Sequence, residues 1–183
     1  MDYKVKTLYP ELFKQTCLDL RKKVESSGFH PEAIIAIPRA GLWIQDAAWT
    51  DFPQIPVKLI RPSKGKFKKR VSWIIKRLPI WLRDGIRIWE ARKLIKRKEH
   101  MATTGIVLPT LSENIRKILI IDDAVDSGAT LKAIVEKFKA EYPNTDIRSA
   151  VITQTHPQAI YKPDYCIFDN STLIRTPWSI DMR

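Results

Sequence analysis

Apolar residues recur along this chain with two different periods. Phe13, Cys17, Leu20 and Val24 stand at i, i+4, i+7 and i+11, which predicts an amphipathic helix over residues 9–26, closed by Ser26-Ser27-Gly28. Residues 33–37 form a short unbroken apolar run, the mark of a buried strand, and Pro38-Arg39-Ala40-Gly41 reads as a tight loop. A short helix is expected over 42–50 and a second strand over 56–60. Residues 118–121 give a third strand, followed by a helix with Leu131, Ile134, Val135 and Phe138 on one face. Two further strands are expected at 150–153 and 165–168. Strands alternating with helices predict an α/β fold with a doubly wound, mostly parallel sheet. Ligands of such sheets bind beyond the carboxyl ends of the strands, where residues 38–41 and 122–130 fall.

More than 50 residues separate the second and third strands, far beyond an ordinary crossover. Within them Val71, Ile74, Ile75, Leu78, Leu82, Ile86 and Trp89 recur every three or four residues, with Pro79 and Asp84-Gly85 as expected breaks or kinks. This stretch reads as an inserted, basic amphipathic helical arm over 61–110, set into a core made of residues 1–60 and 111–183. Charge sharpens that division. Of 32 Lys/Arg and 20 Asp/Glu in the chain, residues 61–100 hold 15 and 3, so the remainder is neutral with 17 of each. The basic character belongs to the arm and not to the core.

At 183 residues and 44% hydrophobic content the chain suits one domain with a real core. Cys17 and Cys166 make no disulfide framework, no apolar leader follows Met1, and no apolar run approaches the length of a membrane span. A cytoplasmic protein is the expectation, peripherally associated with a membrane if the arm binds lipid. Cys17 falls on the apolar helix face, and His30 and His100 lack partners at metal-ligand spacing.

The candidate chemistry lies at the end of the third strand, Ile118-Leu119-Ile120-Ile121-Asp122-Asp123-Ala124-Val125-Asp126-Ser127-Gly128-Ala129-Thr130. Small and hydroxyl residues opening a helix present backbone N–H groups and the positive end of the helix dipole, which suits a phosphate. Carboxylates beside such a site would repel the anion unless they bind sugar hydroxyls or a hard cation such as Mg²⁺. The inferred ligand is a phosphorylated sugar with a metal.

Residues 118–130 resemble the phosphoribosyl-pyrophosphate (PRPP) loop of type I phosphoribosyltransferases: four apolar residues, two acids, small residues, Asp, Ser or Thr, Gly, any residue and Thr. Ile34-Ile35-Ala36-Ile37-Pro38-Arg39-Ala40-Gly41 resembles the pyrophosphate loop of the same family, in the family's order. The arm stands where the family carries its variable loop. The resemblance implies a Mg²⁺-dependent transfer of 5-phosphoribosyl from PRPP to a nucleobase, by a homodimer. It implies that Asp122 and Asp123 hold the ribose hydroxyls, directly or through Mg²⁺, and that Asp126 faces the base nitrogen near the anomeric carbon. Asp122, Asp123, Ala124, Asp126, Ser127, Gly128, Ala129 and Thr130 would bind PRPP. Arg39, Ala40 and Gly41 would receive pyrophosphate, often through a non-proline cis peptide. Ala40 replaces the family's common glycine.

A third similarity covers Leu173-Ile174-Arg175-Thr176-Pro177-Trp178, which resembles the C-terminal hood of xanthine-guanine and related purine phosphoribosyltransferases. It implies an acceptor site at His156, Leu173, Ile174 and Trp178, and a 6-oxopurine such as xanthine, guanine or hypoxanthine. Two positions depart from the pattern. Leu173 stands where an aromatic stacks on the purine, and His156 stands near the place of a lysine that reads the 6-oxo group. His156 therefore reads first as a structural loop residue, and Trp178 is divided between hood packing and base contact.

Two other functions stay open: a non-catalytic PRPP sensor that regulates a nucleic acid through the arm, and a membrane-surface transferase with a non-base acceptor. The arm itself fits a solvated hairpin that dimerises or covers the site, a membrane-surface element over 61–100, or a nucleic-acid binder. Trp73, Trp81 and Trp89 among many cations match interfacial helices, and each cation near an anionic leaflet contributes about 1 kcal/mol. The continuous apolar stripe favours lipid or protein over nucleic acid.

Overall fold

The computed structural model describes residues 3–60, 78–96 and 105–179. In chain order the elements are β1 (Lys4–Thr7), α1 (Pro10–Ser26), β2 (Ala33–Ala36), α2 (Ala40–Ala48), β3 (Ile55–Pro56), β4 (Lys58–Ile60), α3 (Ile80–Lys96), β5 (Gly105–Val107), β6 (Lys117–Val125), α4 (Ala129–Glu141), β7 (Asp146–Gln154), β8 (Tyr165–Phe168) and β9 (Thr172–Arg175).

Five strands form the central sheet in the order β3-β2-β6-β7-β8, every neighbouring pair parallel. Because side chains alternate across a strand, the continuous apolar runs feed two cores. Ile34, Ala36, Leu119, Ile121, Ala150 and Ile152 pack with Phe13, Cys17, Leu20 and Val24 of α1 and Ile44 of α2. Ile35, Ile37, Ile118, Ile120 and Val151 pack on the other face with Leu131, Ile134, Val135 and Phe138 of α4. Helices on both faces of a parallel sheet are the doubly wound arrangement that the alternation predicts. Burial pushes the Cys17 thiol up to about 12, as expected of a residue in an apolar core.

Three elements depart from the pattern reading. The expected strand at 56–60 is two strands that change partner. Pro56 lacks an N–H and ends the short edge strand β3, and β4 then pairs antiparallel with β5. The foot of the insertion is therefore a two-stranded ribbon, not helix. Second, β6 runs four residues past the apolar core, so Asp122 and Asp123 lie within the strand, with Asp122 paired to Val151 of β7. Third, β1 and β9 pair in parallel, Lys4 with Thr172 through Thr7 with Arg175, and join segments from opposite halves of the chain.

Of the predicted arm, Val71, Ile74, Ile75 and Trp73 lie outside the described residues, as does His100. Helix α3 starts one residue after Pro79, whose carbonyl accepts the amides of Leu82 and Arg83. It then passes through Asp84-Gly85 without the expected break. A helical glycine costs about 1 kcal/mol relative to alanine, and contacts made by the neighbouring residues offset it. Asp84 pairs with Arg175, which is only 2% exposed, and Arg87 donates to the carbonyl of Ile174. The helix is thus fixed to β9. No helix among the described residues is long and apolar enough to cross a membrane.

Candidate active site

The carboxyl ends of β2 and β6 and the N-termini of α2 and α4 enclose a cleft of about 620 Å³. Its lining includes Pro38, Arg39 and Ala40 from one side and residues 122–131 from the other, with Trp43 and Trp178 between them. The two motifs that lie more than 80 residues apart in the chain therefore share one cavity. Arg39 is the sole cation among the described residues that line it.

The anion cradle follows from one glycine. Gly128 caps α4 with φ of 81°, a left-handed conformation that side chains rarely adopt. A Cβ there would lie 2.5 Å from the carbonyl oxygen of Tyr161 and 2.8 Å from its nitrogen, so the 158–161 loop sits directly on this turn. The amide of Ile160 donates to the carbonyl of Ser127, and the Ser127 hydroxyl accepts the amide of Ala129. The first turn of α4 consequently lines the cleft beside three acids, a placement that suits a phosphate.

The acids differ in environment. The Asp123 amide donates to an Asp122 carboxylate oxygen. Burial pushes the Asp123 carboxyl above its ordinary value, while the contact with Asp122 and hydrogen bonds from the Trp178 indole and the Ala124 amide pull the other way. Ionised Asp123 is thus disfavoured by its burial in the fold. We expect Asp123→Asn to melt at a higher temperature than the parent protein and to lose stabilisation by PRPP with Mg²⁺. Thermal melts with and without those ligands check both halves. Asp126 is reached differently: its carboxylate accepts the Thr155 hydroxyl at 3.1 Å, and the Thr155 amide in turn donates to Val125.

On the opposite wall the Pro38–Arg39 peptide is cis. Gly41 does not line the cleft. It permits α2 to approach β6, because a Cβ there would lie 2.5 Å from the carbonyl oxygen of Ile121. Its part in the loop is close packing, and Arg39 and Ala40 face the cavity.

The hood residues separate. Trp178 lines the cleft and packs on Trp43 with ring centroids 4.4 Å apart, and edge-on to Phe13 at 5.1 Å. Leu173 and Ile174 are buried in β9, and neither is among the lining residues. His156 is also outside the lining: its Nδ1 accepts the amide of Gln158 and its carbonyl accepts Gln154. Pattern reading missed Trp43 and the bracing by Thr155 and Tyr161. Trp43 had a signal, since it lies two residues after Gly41 in the first turns of α2, at the ligand-binding end of the sheet.

Comparison with known proteins decides what this cleft belongs to. The family model described as a phosphoribosyl transferase domain matches residues 5–181, nearly the whole chain. The chain belongs to that family. It is an enzyme of the pentosyltransferase type, with the mixed α/β, mostly parallel fold of the type I phosphoribosyltransferases. Among solved structures it is similar to the Helicobacter pylori xanthine-guanine-hypoxanthine phosphoribosyltransferase, at 22% identity over 97% of this chain and 95% of that one, with a TM-score of 0.66. It is also similar to a purine phosphoribosyltransferase from Pyrococcus horikoshii, at 19% identity over 98% and 95%, TM-score 0.57. A hypothetical protein from Neisseria gonorrhoeae with bound ppGpp follows at 15% identity over 97% and 90%, TM-score 0.55. No curated protein sequence matches the chain significantly.

Proposed function

We propose that the chain transfers 5-phosphoribosyl from PRPP to a nucleobase, a 6-oxopurine by preference, and releases pyrophosphate. One observation carries the reading: three acids, an amide cradle and the Arg39 turn line a single cleft in the arrangement that a sugar bearing phosphate groups at both ends requires. In this reading the first turn of α4 holds the 5′-phosphate, and Asp122 and Asp123 hold the ribose side. Arg39 and Ala40 receive the pyrophosphate.

The donor set fits Mg²⁺. Asp122 and Asp123 are adjacent oxygen donors, and the described residues hold no cluster of three His, Cys, Asp or Glu that would cage a metal alone. Mg²⁺ suits such a site because it keeps substrate oxygens and waters in its shell. When bound it would supply charge neutralisation to the pyrophosphate.

The chemistry asks little covalent work of the protein. The bond from C1 to the pyrophosphate oxygen breaks, the sugar becomes oxocarbenium-like, and the base nitrogen forms the new bond to C1 and gives up its proton. Asp126 stands at the end of β6, oriented by Thr155, where its carboxylate balances the sugar's developing positive charge and receives that proton. The cradle and Arg39 fix both ends of the donor, so positioning supplies much of the rate. No enzyme nucleophile is required.

The acceptor is supported by the Trp43–Trp178 pair, which offers an aromatic wall for a planar ring. His156 contributes one donor at most, because an imidazole that accepts at Nδ1 carries its proton on Nε2. The test is pyrophosphate release from PRPP and Mg²⁺ with a panel of bases. Release with xanthine, guanine or hypoxanthine supports the reading, and no release with any base contradicts it.

A further inference from the structure

Helix α3 wears its polar face inward. On one side Arg83 is 5% exposed, Asp84 pairs with buried Arg175, and Arg87 donates to the Ile174 carbonyl. On the other side Trp81, Gly85 and Trp89 follow one another every four residues, with Trp81 69% and Trp89 60% exposed. Gly85 is exposed between them, and a Cβ there would meet nothing within 4 Å. A surface helix ordinarily does the reverse, turning apolar residues to the core and charge to water.

We propose that this outer face of α3 docks on an anionic lipid bilayer. Tryptophan presents a large apolar ring with one polar N–H, which suits the boundary between headgroups and acyl chains. The bilayer's charge is complementary: the 61–100 stretch holds 15 Lys/Arg against 3 Asp/Glu, whereas the rest of the chain is neutral. The same charges disfavour a second copy, because a two-fold contact through α3 would bring two strongly basic stretches together. Nucleic acid fits less well. A strand binder sets cations beside its stacking aromatics, but Arg83 and Arg87 of this helix are committed to the body of the protein.

The experiment is co-sedimentation of the full-length protein with vesicles of phosphatidylcholine alone and of phosphatidylcholine mixed with phosphatidylglycerol. We expect binding to the mixed vesicles that weakens with added salt, and little to phosphatidylcholine alone. The double variant Trp81→Glu/Trp89→Glu should bind the mixed vesicles at least about tenfold more weakly while remaining folded by circular dichroism. If that variant is poorly folded, tryptophan quenching of the parent protein by brominated phosphatidylglycerol replaces it, and quenching is expected. Docking is refuted by equal binding of parent and variant, or by no quenching. It is also refuted if the parent ignores vesicles while binding RNA, or if the variant changes only the oligomeric mass. None of these outcomes depends on PRPP turnover, so failure here leaves the transferase reading untouched.

Discussion

Asp126→Ala is expected to lower the turnover of PRPP with base by roughly 10²–10⁴-fold while PRPP affinity changes little. The asymmetry follows from where the groups lie. In the proposed function, phosphate and ribose contacts come from the first turn of α4, Arg39 and the Asp122–Asp123 pair, and the variant leaves all of these in place. What it removes is the carboxylate at the strand end that Thr155 orients. Single-turnover pyrophosphate release and calorimetric titration with PRPP separate the two quantities. Normal turnover in the variant would show that the reacting end of the sugar lies elsewhere.

Gly128→Ala should cost about 3 kcal/mol, lower the melting temperature by roughly 6–12 °C and abolish PRPP binding. Two penalties combine. The left-handed backbone at φ of 81° disfavours any Cβ, and the new carbon would lie 2.5 Å from the backbone of Tyr161, which cannot swing aside as a side chain would. Gly28 supplies the control. Its φ is 77°, but a Cβ there meets nothing within 4 Å, so Gly28→Ala should show the conformational penalty of about 1 kcal/mol alone. Chemical denaturation of the two variants measures the difference. Equal losses would mean that Tyr161 does not press on the cradle.

The cleft was largely legible because each of its two main loops is a continuous stretch of sequence. The apolar runs before Pro38 and Asp122 place both loops at the same end of a parallel sheet, and residues 127–130 declare a helix start by composition. The Arg39 turn and the acids accordingly meet where the strand pattern predicts. Contacts between distant segments were not legible. β1 reads Lys-Val-Lys-Thr, a half-exposed alternation too short to announce a strand, and its partner lies some 170 residues away. The change of partner at Pro56 depends on β5, which is only three residues long. Leu173 looked like a candidate acceptor contact because it occupies an aromatic's place in a hood motif. Pairing of β9 with β1 instead turns it into the protein, and Trp178 with Trp43 provides the aromatic surface. The inward-facing charges of α3 were hidden for the same reason. Periodicity identifies two helix faces, but only the partner strand reveals which one is buried.

In the proposed function this cleft grips PRPP together with Mg²⁺. Calorimetric titration of PRPP into the protein, with and without Mg²⁺, tests it most directly. Saturable binding in the micromolar to millimolar range is predicted with the metal, together with its loss in an Asp122→Asn/Asp123→Asn double variant. No binding with Mg²⁺ present, or undiminished binding by that variant, would contradict it.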